Sequence, residues 1–178
     1  MSMTIDGVEV VDLEIHADVR GSFVEFYRQS WAPSDRPALQ GNISRSISGS
    51  LRAMHFHRRQ WDYWFVVSGT MFVALTDLRT GSPTERATST LRLSADTPKG
   101  LFIPPGVAHG FLAETDLVLG YLVDRYFDGT DEWGIAWDDP ELGIGWPTAD
   151  PVVSDRDRSN PSLSEALRDP VPYAPAVG

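Results

Sequence analysis

The sequence has no cysteine, a single lysine and no long apolar run. The missing cysteines exclude disulfide bonds and thiolate chemistry. Twenty-five acidic residues against 15 basic ones leave a formal net charge of −10, which argues against nucleic acid as a partner. No apolar stretch reaches the roughly 18 residues of a membrane-spanning helix, and residues 1–6 lack the basic and apolar regions of a signal peptide. We therefore expect a cytoplasmic protein without a membrane partner.

The basic residues are almost all of one kind. Every one of the 15 is an arginine except Lys99. A guanidinium group binds phosphate oxygens in pairs, so an acidic protein can still hold a phosphorylated small molecule locally. At 178 residues the chain can bury one core, and it shows no internal repeat or linker. We predict one domain over residues 1–178.

The middle of the chain predicts an all-β fold. Short apolar and β-branched runs alternate with turns rich in glycine and proline, which is typical of a sandwich or barrel. The predicted strands are residues 63–67, 70–77, 88–93, 101–103, 111–113 and 117–123. After residue 124 the composition predicts a long ordered C-terminal loop, then a short helix at 162–168 and a frayed tail at 170–178.

Three of the four histidines fall in two short segments. His55 and His57 are followed by Asp62, and His109 ends the segment Pro104-Pro105-Gly106-Val107-Ala108-His109. Two residues that lie two apart on a strand point to the same face. A carboxylate and a third imidazole from neighbouring strands would complete a ligand set inside a small barrel. This pattern is similar to that of a cupin, and it predicts a jelly-roll barrel with the active site inside.

Longer motifs carry a more specific resemblance. They are Asp18-Val19-Arg20-Gly21, Gln40-Gly41-Asn42-Ile43-Ser44, Leu51-Arg52-Ala53-Met54-His55, Asp77-Leu78-Arg79-Thr80-Gly81-Ser82-Pro83-Thr84, Ile103-Pro104-Pro105-Gly106-Val107-Ala108-His109-Gly110-Phe111, Trp137-Asp138-Asp139-Pro140, Ile144-Gly145-Trp146-Pro147 and Ser154-Asp155-Arg156-Asp157. With these motifs in this order, roughly residues 5–165 resemble the dTDP-4-dehydrorhamnose 3,5-epimerase family. The resemblance implies a cupin jelly roll, a homodimer, and a nucleotide-diphospho-sugar as substrate, namely a nucleotide-linked 4-keto-6-deoxyhexose.

The resemblance also implies epimerisation by proton transfer. The ketone acidifies the C–H bonds at C3 and C5, so a base can form an enolate and an acid can return the proton to the other face. By resemblance His55 is the base, Asp157 its partner and Tyr121 the acid, and this chemistry requires no cofactor. The predicted substrate-binding residues are Arg20, Phe23, Glu25, Gln40, Asn42, Arg52, His109 and Phe127. Because Phe23 comes from an N-terminal segment, we expect the pocket to be shared across a dimer.

Two positions depart from the family pattern. The family carries glutamine where this chain has His57, and an enolate-stabilising lysine where it has Asp62. A carboxylate would repel an oxyanion. The two changes together predict instead a site for one Fe, Mn, Ni or Zn ion, with His55, His57, Asp62 and His109 as ligands. Such an ion would polarise the ketone as a Lewis acid in place of the lysine. Asp157 would then orient His55 through a hydrogen bond to the ring nitrogen that does not bind the ion.

Simpler roles stay open for the histidines and for Asp62. In this alternative interpretation, His55 and His57 fill the barrel interior and form only hydrogen bonds, and Asp62 pairs with Arg58 or Arg59 at the surface.

Simpler roles also stay open for three further residues. Tyr121 would be a buried tyrosine with a bonded hydroxyl, and Arg20 a surface arginine in a turn. Arg52 lies three positions before His55, so it would face the other side of the strand unless a bulge intervenes.

Three functions compete at this point. The first is a nucleotide-sugar 3- or 3,5-epimerase, an isomerase. The alternative is a metal-dependent isomerase or oxygenase on the same scaffold, and the third is a non-catalytic sugar-binding protein. The presence of His55, Tyr121 and Asp157 together argues against the third, and the sequence predicts the epimerase.

Overall fold

The computed structural model describes residues 5–174, and their regular structure is almost entirely β. In chain order the strands are β1 (Glu9–Asp12), β2 (Ile15–Asp18), β3 (Gly21–Val24), β4 (Gln40–Ser46), β5 (Ser50–Phe56), β6 (Asp62–Ser68), β7 (Thr70–Asp77), β8 (Arg79–Thr80), β9 (Thr88–Ser94), β10 (Lys99–Ile103), β11 (Val107–Ala113), β12 (Leu117–Val123), β13 (Trp133–Gly134), β14 (Val152–Val153) and β15 (Val171–Pro172). The helices are α1 (Asp155–Arg158) and α2 (Leu163–Ala166), with 3₁₀ turns at Gln29–Trp31 and Pro140–Leu142. All the predicted strands are present.

Two sheets pack face to face. One has the strand order β1-β10-β6-β12-β4, and the other has the order β13-β5-β11-β7-β9 with β14 beside β5. All pairs within these sheets are antiparallel except β14 with β5. This arrangement is the predicted jelly roll. A separate hairpin, β2–β3, stands outside both sheets, and β8 pairs with β15.

The facing sides of the two sheets enclose the main apolar core. Alternation along β7 shows how the sequence produces it: Met71, Val73 and Leu75 are fully buried between the sheets. Phe72 and Ala74, the residues between them, point to the other side of the same sheet. A strand with both faces buried reads as a continuous apolar run, which is why this strand was predictable.

The C-terminal segment covers the outer face of the β5-containing sheet. Ile135, Leu142 and Leu163 belong to the apolar cluster on that face. The predicted ordered loop is therefore confirmed. The helix is shorter than predicted and begins after Ser162, whose hydroxyl accepts a hydrogen bond from the Glu165 N–H while the Glu165 carboxylate accepts one from the Ser162 N–H.

The predicted frayed tail is wrong over its first residues. Val171 is only 3% exposed, and Val171–Pro172 pairs in parallel with Arg79–Thr80. The apolar side chain of Val171 packs into the outer cluster, which holds this part of the chain in place. Residues 175–178 lie outside the described part of the chain.

Within residues 5–174, no helix combines the length and apolar character needed to cross a bilayer.

Candidate active site

A cavity of about 460 Å³ opens between the two sheets, within the size range of small-molecule sites. Its lining residues are Gln40, Asn42, Ser44, Arg52, His55, His57, Gln60, Asp62, Trp64, His109, Phe111, Leu119, Tyr121, Val123, Phe127, Glu132 and Arg156. Three of them, Trp64, Phe111 and Leu119, also belong to the main core. The polar cavity therefore lies directly on the apolar core.

Regular alternation brings most of the lining together. On β4 every second residue from Gln40 to Ser44 faces the cavity, and on β12 every second residue from Leu119 to Val123 does so. Tyr121 therefore enters from the middle of β12. The pairing of β12 between β4 and β6 is enough to place the Tyr121 side chain in the cavity.

Strand β5 breaks the alternation. His109 of β11 pairs with His55, but Phe111 pairs with Arg52, so the register between β11 and β5 shifts by one residue. Both Arg52 and His55 consequently line the cavity, although they lie three positions apart. The bulge that the sequence reasoning required for Arg52 is present. The strands are also unusually close here, since a Cβ on Gly110 would lie 2.3 Å from the Cβ of Ala53.

His55 and Asp157 form a hydrogen-bonded pair at the cavity wall. The Nε2 of His55 lies 2.8 Å from Oδ1 of Asp157, and the carboxylate is only 4% exposed. Burial alone would raise the pKa of Asp157, but the hydrogen bond and charge of His55 and the Ala53 N–H hold it below its ordinary value. The ionised carboxylate accepts the Nε2 proton, which leaves Nδ1 of His55 as the basic nitrogen.

Asp157 reaches this place from a distant part of the chain. It lies on α1, whose first turn is capped by the Ser154 hydroxyl accepting a hydrogen bond from the Asp157 N–H. The neighbouring β14 pairs with β5, the strand that carries His55. The Ser-Asp-Arg-Asp motif is thus a helix start that fixes the carboxylate beside the imidazole.

Tyr121 faces the same cavity in a protonated state. Burial raises the pKa of its hydroxyl, and the negative charges of Asp62 and Glu132 raise it further, against a smaller opposing effect of Arg52.

Three of the four predicted metal ligands are brought together and buried. Nε2 of His57 lies 3.8 Å from Oδ1 of Asp62, and Nε2 of His109 lies 3.9 Å from Oδ2 of the same carboxylate. Among residues 5–174, His57, Asp62 and His109 form the one group of histidine and acidic side chains with metal-ligand spacing. Burial lowers the pKa of His109 to about 4, against the opposing attraction of Asp62.

The predicted set of four ligands is thereby corrected. His55 lies outside the group, because the ligand atoms that lie within 4.8 Å of one another are only those of His57, Asp62 and His109. The alternative role for Asp62 is also wrong, because the carboxylate is 4% exposed and pairs with neither Arg58 nor Arg59. The backbone N–H groups of those two arginines donate instead to Asp131.

The predicted substrate-binding residues divide into two groups. Gln40, Asn42, Arg52, His109 and Phe127 line the cavity. The Phe127 N–H donates to Oε1 of Gln40 at 3.0 Å, and the Gln40 amide donates to Asn42, so these side chains hold one another in position.

Arg20, Phe23 and Glu25 do not line the cavity of their own chain. Arg20 is a strongly exposed turn residue that pairs with Asp18 at 2.6 Å, and Glu25 pairs with Arg28. Phe23 is 67% exposed on the β2–β3 hairpin.

Lys99 does not replace the missing lysine. It pairs with Asp12 and does not line the cavity.

Sequence reasoning missed four polar lining residues, namely Ser44, Gln60, Glu132 and Arg156. Arg156 and Glu132 line the cavity and bond to each other at 3.3 Å, and Gln60 donates to Asp62 at 2.8 Å. Arg156 directly precedes Asp157, which was a usable signal. Glu132 lies in an irregular segment and gave none.

The geometry can be compared with known proteins. The sequence model of the family described as dTDP-4-dehydrorhamnose 3,5-epimerase matches residues 2–165. The dTDP-4-dehydrorhamnose 3,5-epimerase of Methanothermobacter thermautotrophicus is 34% identical over 171 residues, covering 91% of this chain and 92% of the relative.

Solved structures agree over the same length. NovW of Streptomyces spheroides, a 4-keto-6-deoxy sugar epimerase, superposes with a TM-score of 0.90 at 34% identity, covering 98% of this chain and 93% of NovW. ChmJ of Streptomyces bikiniensis, a 3'-monoepimerase solved with dTDP-quinovose, superposes with a TM-score of 0.87 at 31% identity, covering 93% of this chain and 88% of ChmJ. The likeness extends over the whole barrel.

Proposed function

The chain belongs to the dTDP-4-dehydrorhamnose 3,5-epimerase family and is an isomerase of the epimerase class, and we propose that its substrate is a dTDP-linked 4-keto-6-deoxyhexose. The reaction inverts C3, C5 or both by removal and return of a proton. The observation that carries this proposal is the His55–Asp157 pair, which opens into the same cavity as Tyr121.

The proton leaves the sugar carbon toward His55. Asp157 holds the proton of His55 on Nε2, so Nδ1 accepts the proton from C3 or C5. The imidazolium that forms is stabilised by the buried carboxylate. Loss of the proton leaves an enolate that is conjugated with the C4 ketone. Tyr121 then donates its hydroxyl proton to the opposite face of the carbon, which completes the inversion.

The diphosphate is proposed to bind at the cationic side chains of the cavity. Arg52 and Arg156 are the arginines that line it. The guanidinium of Arg52 is already held by Ser46 and by the backbone carbonyl of Arg45, at 3.0 and 3.3 Å. Phe127 stands at the rim, 67% exposed, where a nucleotide base would stack on its ring.

The homodimer is part of the proposal. The β2–β3 hairpin carries Arg20 and Phe23 away from the cavity of its own chain, and Ile15, Val19 and Phe23 are exposed on it. A second copy of the chain would cover these apolar side chains and would receive Arg20, Phe23 and Glu25 at its own cavity. The cytoplasmic location stays a prediction.

The family relationship supports this function over the metal-dependent oxygenase or isomerase that the sequence left as an alternative. The family relationship does not decide whether this chain needs a metal ion. The lining of its cavity contains no lysine to stabilise the enolate oxygen, so another positive charge would have to do so.

Hydrogen exchange tests the function directly. Incubation with dTDP-4-keto-6-deoxyglucose in deuterated water is expected to place deuterium at C3, C5 or both, as measured by NMR and mass spectrometry. His55→Ala removes the base and Asp157→Asn its partner, so each is expected to slow exchange by about 100-fold or more.

Asp150→Asn serves as the control, since this exposed carboxylate lies outside the cavity and outside the β2–β3 hairpin. It is expected to exchange at the wild-type rate. Wild-type protein that exchanges neither position of the sugar would contradict the proposed function.

A further inference from the structure

The buried carboxylate of Asp62 has no permanent cation beside it. Its oxygens accept hydrogen bonds from the Gln60 amide at 2.8 Å and from the Trp64 indole at 3.2 Å, and both donors are neutral. No arginine or lysine in residues 5–174 forms an ion pair with it, and the ionisable side chains within 4 Å of it are His57 and His109. An ionised carboxylate at 4% exposure is costly without a positive charge nearby.

Hydrogen bonds to backbone carbonyls fix which ring nitrogen of each histidine faces this carboxylate. Nδ1 of His57 lies 2.6 Å from the carbonyl oxygen of Asp131, and Nδ1 of His109 lies 3.0 Å from that of Val107. A carbonyl oxygen can only accept, so in both rings Nδ1 carries the proton. In the neutral tautomer each Nε2 is then a bare lone pair. Both lone pairs are directed toward Asp62.

This arrangement is typical of histidines that bind a metal. A metal-bound imidazole donates its second nitrogen to a backbone carbonyl or carboxylate, which fixes the ring and the tautomer. Both rings do so here, and Gln60 and Trp64 fix the carboxylate in the same way. Val107, Gln60 and Trp64 each lie two residues from the ligand that they bond, and Asp131 comes from a distant segment.

The spacing also fits a single ion. The gaps of 3.8 and 3.9 Å are too long for hydrogen bonds between the imidazoles and the carboxylate. Ligands about 2.1 Å from one ion lie about 3.0–3.5 Å apart, and the three ligand atoms lie within 4.8 Å of one another, so a contraction of about one ångström would complete the coordination. His55 stays free to act on the substrate.

We propose that His57, Asp62 and His109 bind one first-row divalent cation inside the epimerase cavity. Two imidazoles and one carboxylate suit Zn(II), Fe(II), Mn(II), Ni(II) or Co(II) and leave coordination positions open toward the cavity. An ion bound there would supply a Lewis acid for a substrate oxygen, in place of the lysine that the cavity lining lacks. The site is separate from the His55–Asp157 pair, so metal binding can be measured without reference to catalysis.

The experiment uses the full chain purified without a histidine tag. After chelation and dialysis, the protein is titrated with Zn(II) and with Co(II) by calorimetry, and bound metal is counted by mass spectrometry. One ion per chain is expected, together with a visible absorption spectrum of bound Co(II) and a higher melting temperature. His57→Ala, Asp62→Ala and His109→Ala are each expected to weaken binding about 100-fold or more, a larger loss than a supporting partner causes.

Two matched variants complete the design. His16→Ala and His55→Ala are expected to keep full metal affinity, although His55→Ala also loses sugar exchange. Absence of stoichiometric binding in the wild type, or equal affinity in the Asp62→Ala variant, would overturn the metal site. Loss of binding in His55→Ala would overturn the set of three ligands. Exchange of deuterium by stripped protein would leave the proposed function intact while removing any need for the ion.

Discussion

At the scale of single residues, Tyr121 and His55 reach the cavity from different sheets, on β12 and β5. An acid and a base that come from facing sheets can address opposite sides of a sugar ring, which inversion requires. The raised pKa of Tyr121, caused mainly by burial, keeps its hydroxyl protonated at neutral pH. Its proposed role as the returning acid is therefore compatible with its surroundings.

Tyr121→Phe separates the two proton transfers. The change removes the acid and leaves the base pair in place, so deuterium exchange is expected to persist better than completed inversion. Inversion is expected to fall by about 100-fold or more. The measurement is the ratio of exchange to product formation by NMR. Equal loss of both rates would contradict the assignment of Tyr121 as the acid.

Arg52→Ala tests diphosphate binding. The change removes a charged hydrogen bond, typically about 1.5–3 kcal/mol, so the Kd for dTDP is expected to rise about 10- to 100-fold by calorimetry. Arg45→Ala is the control, because Arg45 does not line the cavity and only its backbone carbonyl contacts Arg52. Unchanged affinity in the Arg52 variant would exclude this arginine from the site.

At the scale of elements, the Asp77–Thr84 turn is a structural unit and not part of the cavity. The Asp77 carboxylate is fully buried and accepts hydrogen bonds from Arg79, Ser82 and Thr84 at 2.6–2.8 Å. Burial would raise the pKa of Asp77, but these bonds outweigh it and hold the pKa below its ordinary value. The turn therefore contributes stability only while this carboxyl is ionised.

Asp77→Asn is expected to lower the free energy of unfolding by about 3–5 kcal/mol at neutral pH, since it leaves Arg79 buried without its counter-charge. Because the folded pKa lies below the unfolded value of about 3.9, the contribution is complete above that pH and is lost as the pH falls through the folded pKa. Urea unfolding of both proteins is expected to show a constant difference from pH 8 to 5 that shrinks below about pH 4.

Asp150→Asn, a change of an exposed carboxylate, is the control and is expected to leave stability nearly unchanged at every pH. A difference for Asp77→Asn that does not shrink at all between pH 5 and pH 3 would show that the charge is not the source of the stability.

At the scale of the whole molecule, the exposed hairpin is the feature that one chain does not explain. Strands β2 and β3 pair only with each other among residues 5–174, and Phe23 is 67% exposed. Exposed apolar side chains on a projecting hairpin are typical of an interface. A pocket completed by a second chain would use this hairpin.

Mixed dimers test the shared pocket. A dimer of one Arg20→Ala chain and one His55→Ala chain, isolated with two different tags, contains one intact site if the hairpin serves the partner. About half of wild-type activity is then expected from two variants that are each weak alone. If the hairpin served its own chain, both sites would be damaged and no activity would return.

A mixed dimer of His55→Ala and Asp157→Asn chains is the matched control. Both residues belong to the same cavity of the same chain, since they bond at 2.8 Å. Every site in this dimer carries one defect under either arrangement, so no recovery is expected.

The sequence by itself determined the barrel and the neighbourhood of the histidines. A short apolar run bounded by turns is a local signal of a buried strand, so β7 and β12 were readable from their own residues. The spacing of His57, Asp62 and His109 predicted their meeting, and the motif order predicted the family. The pairing of His55 with Asp157 was predicted through the resemblance and not through spacing.

Only the tertiary structure decided how the site divides. The register shift in β5 turns Arg52 into the cavity, and no local pattern announces it. The packing of the strands places His55 outside the predicted group of four ligands, and Asp157 bonds its Nε2 instead. Glu132 enters from an irregular segment and Arg156 from the short helix α1, and neither has a strand alternation that would reveal it. Side-chain contacts between distant parts of a chain depend on how the sheets pack, and that packing is not encoded in any short stretch of sequence.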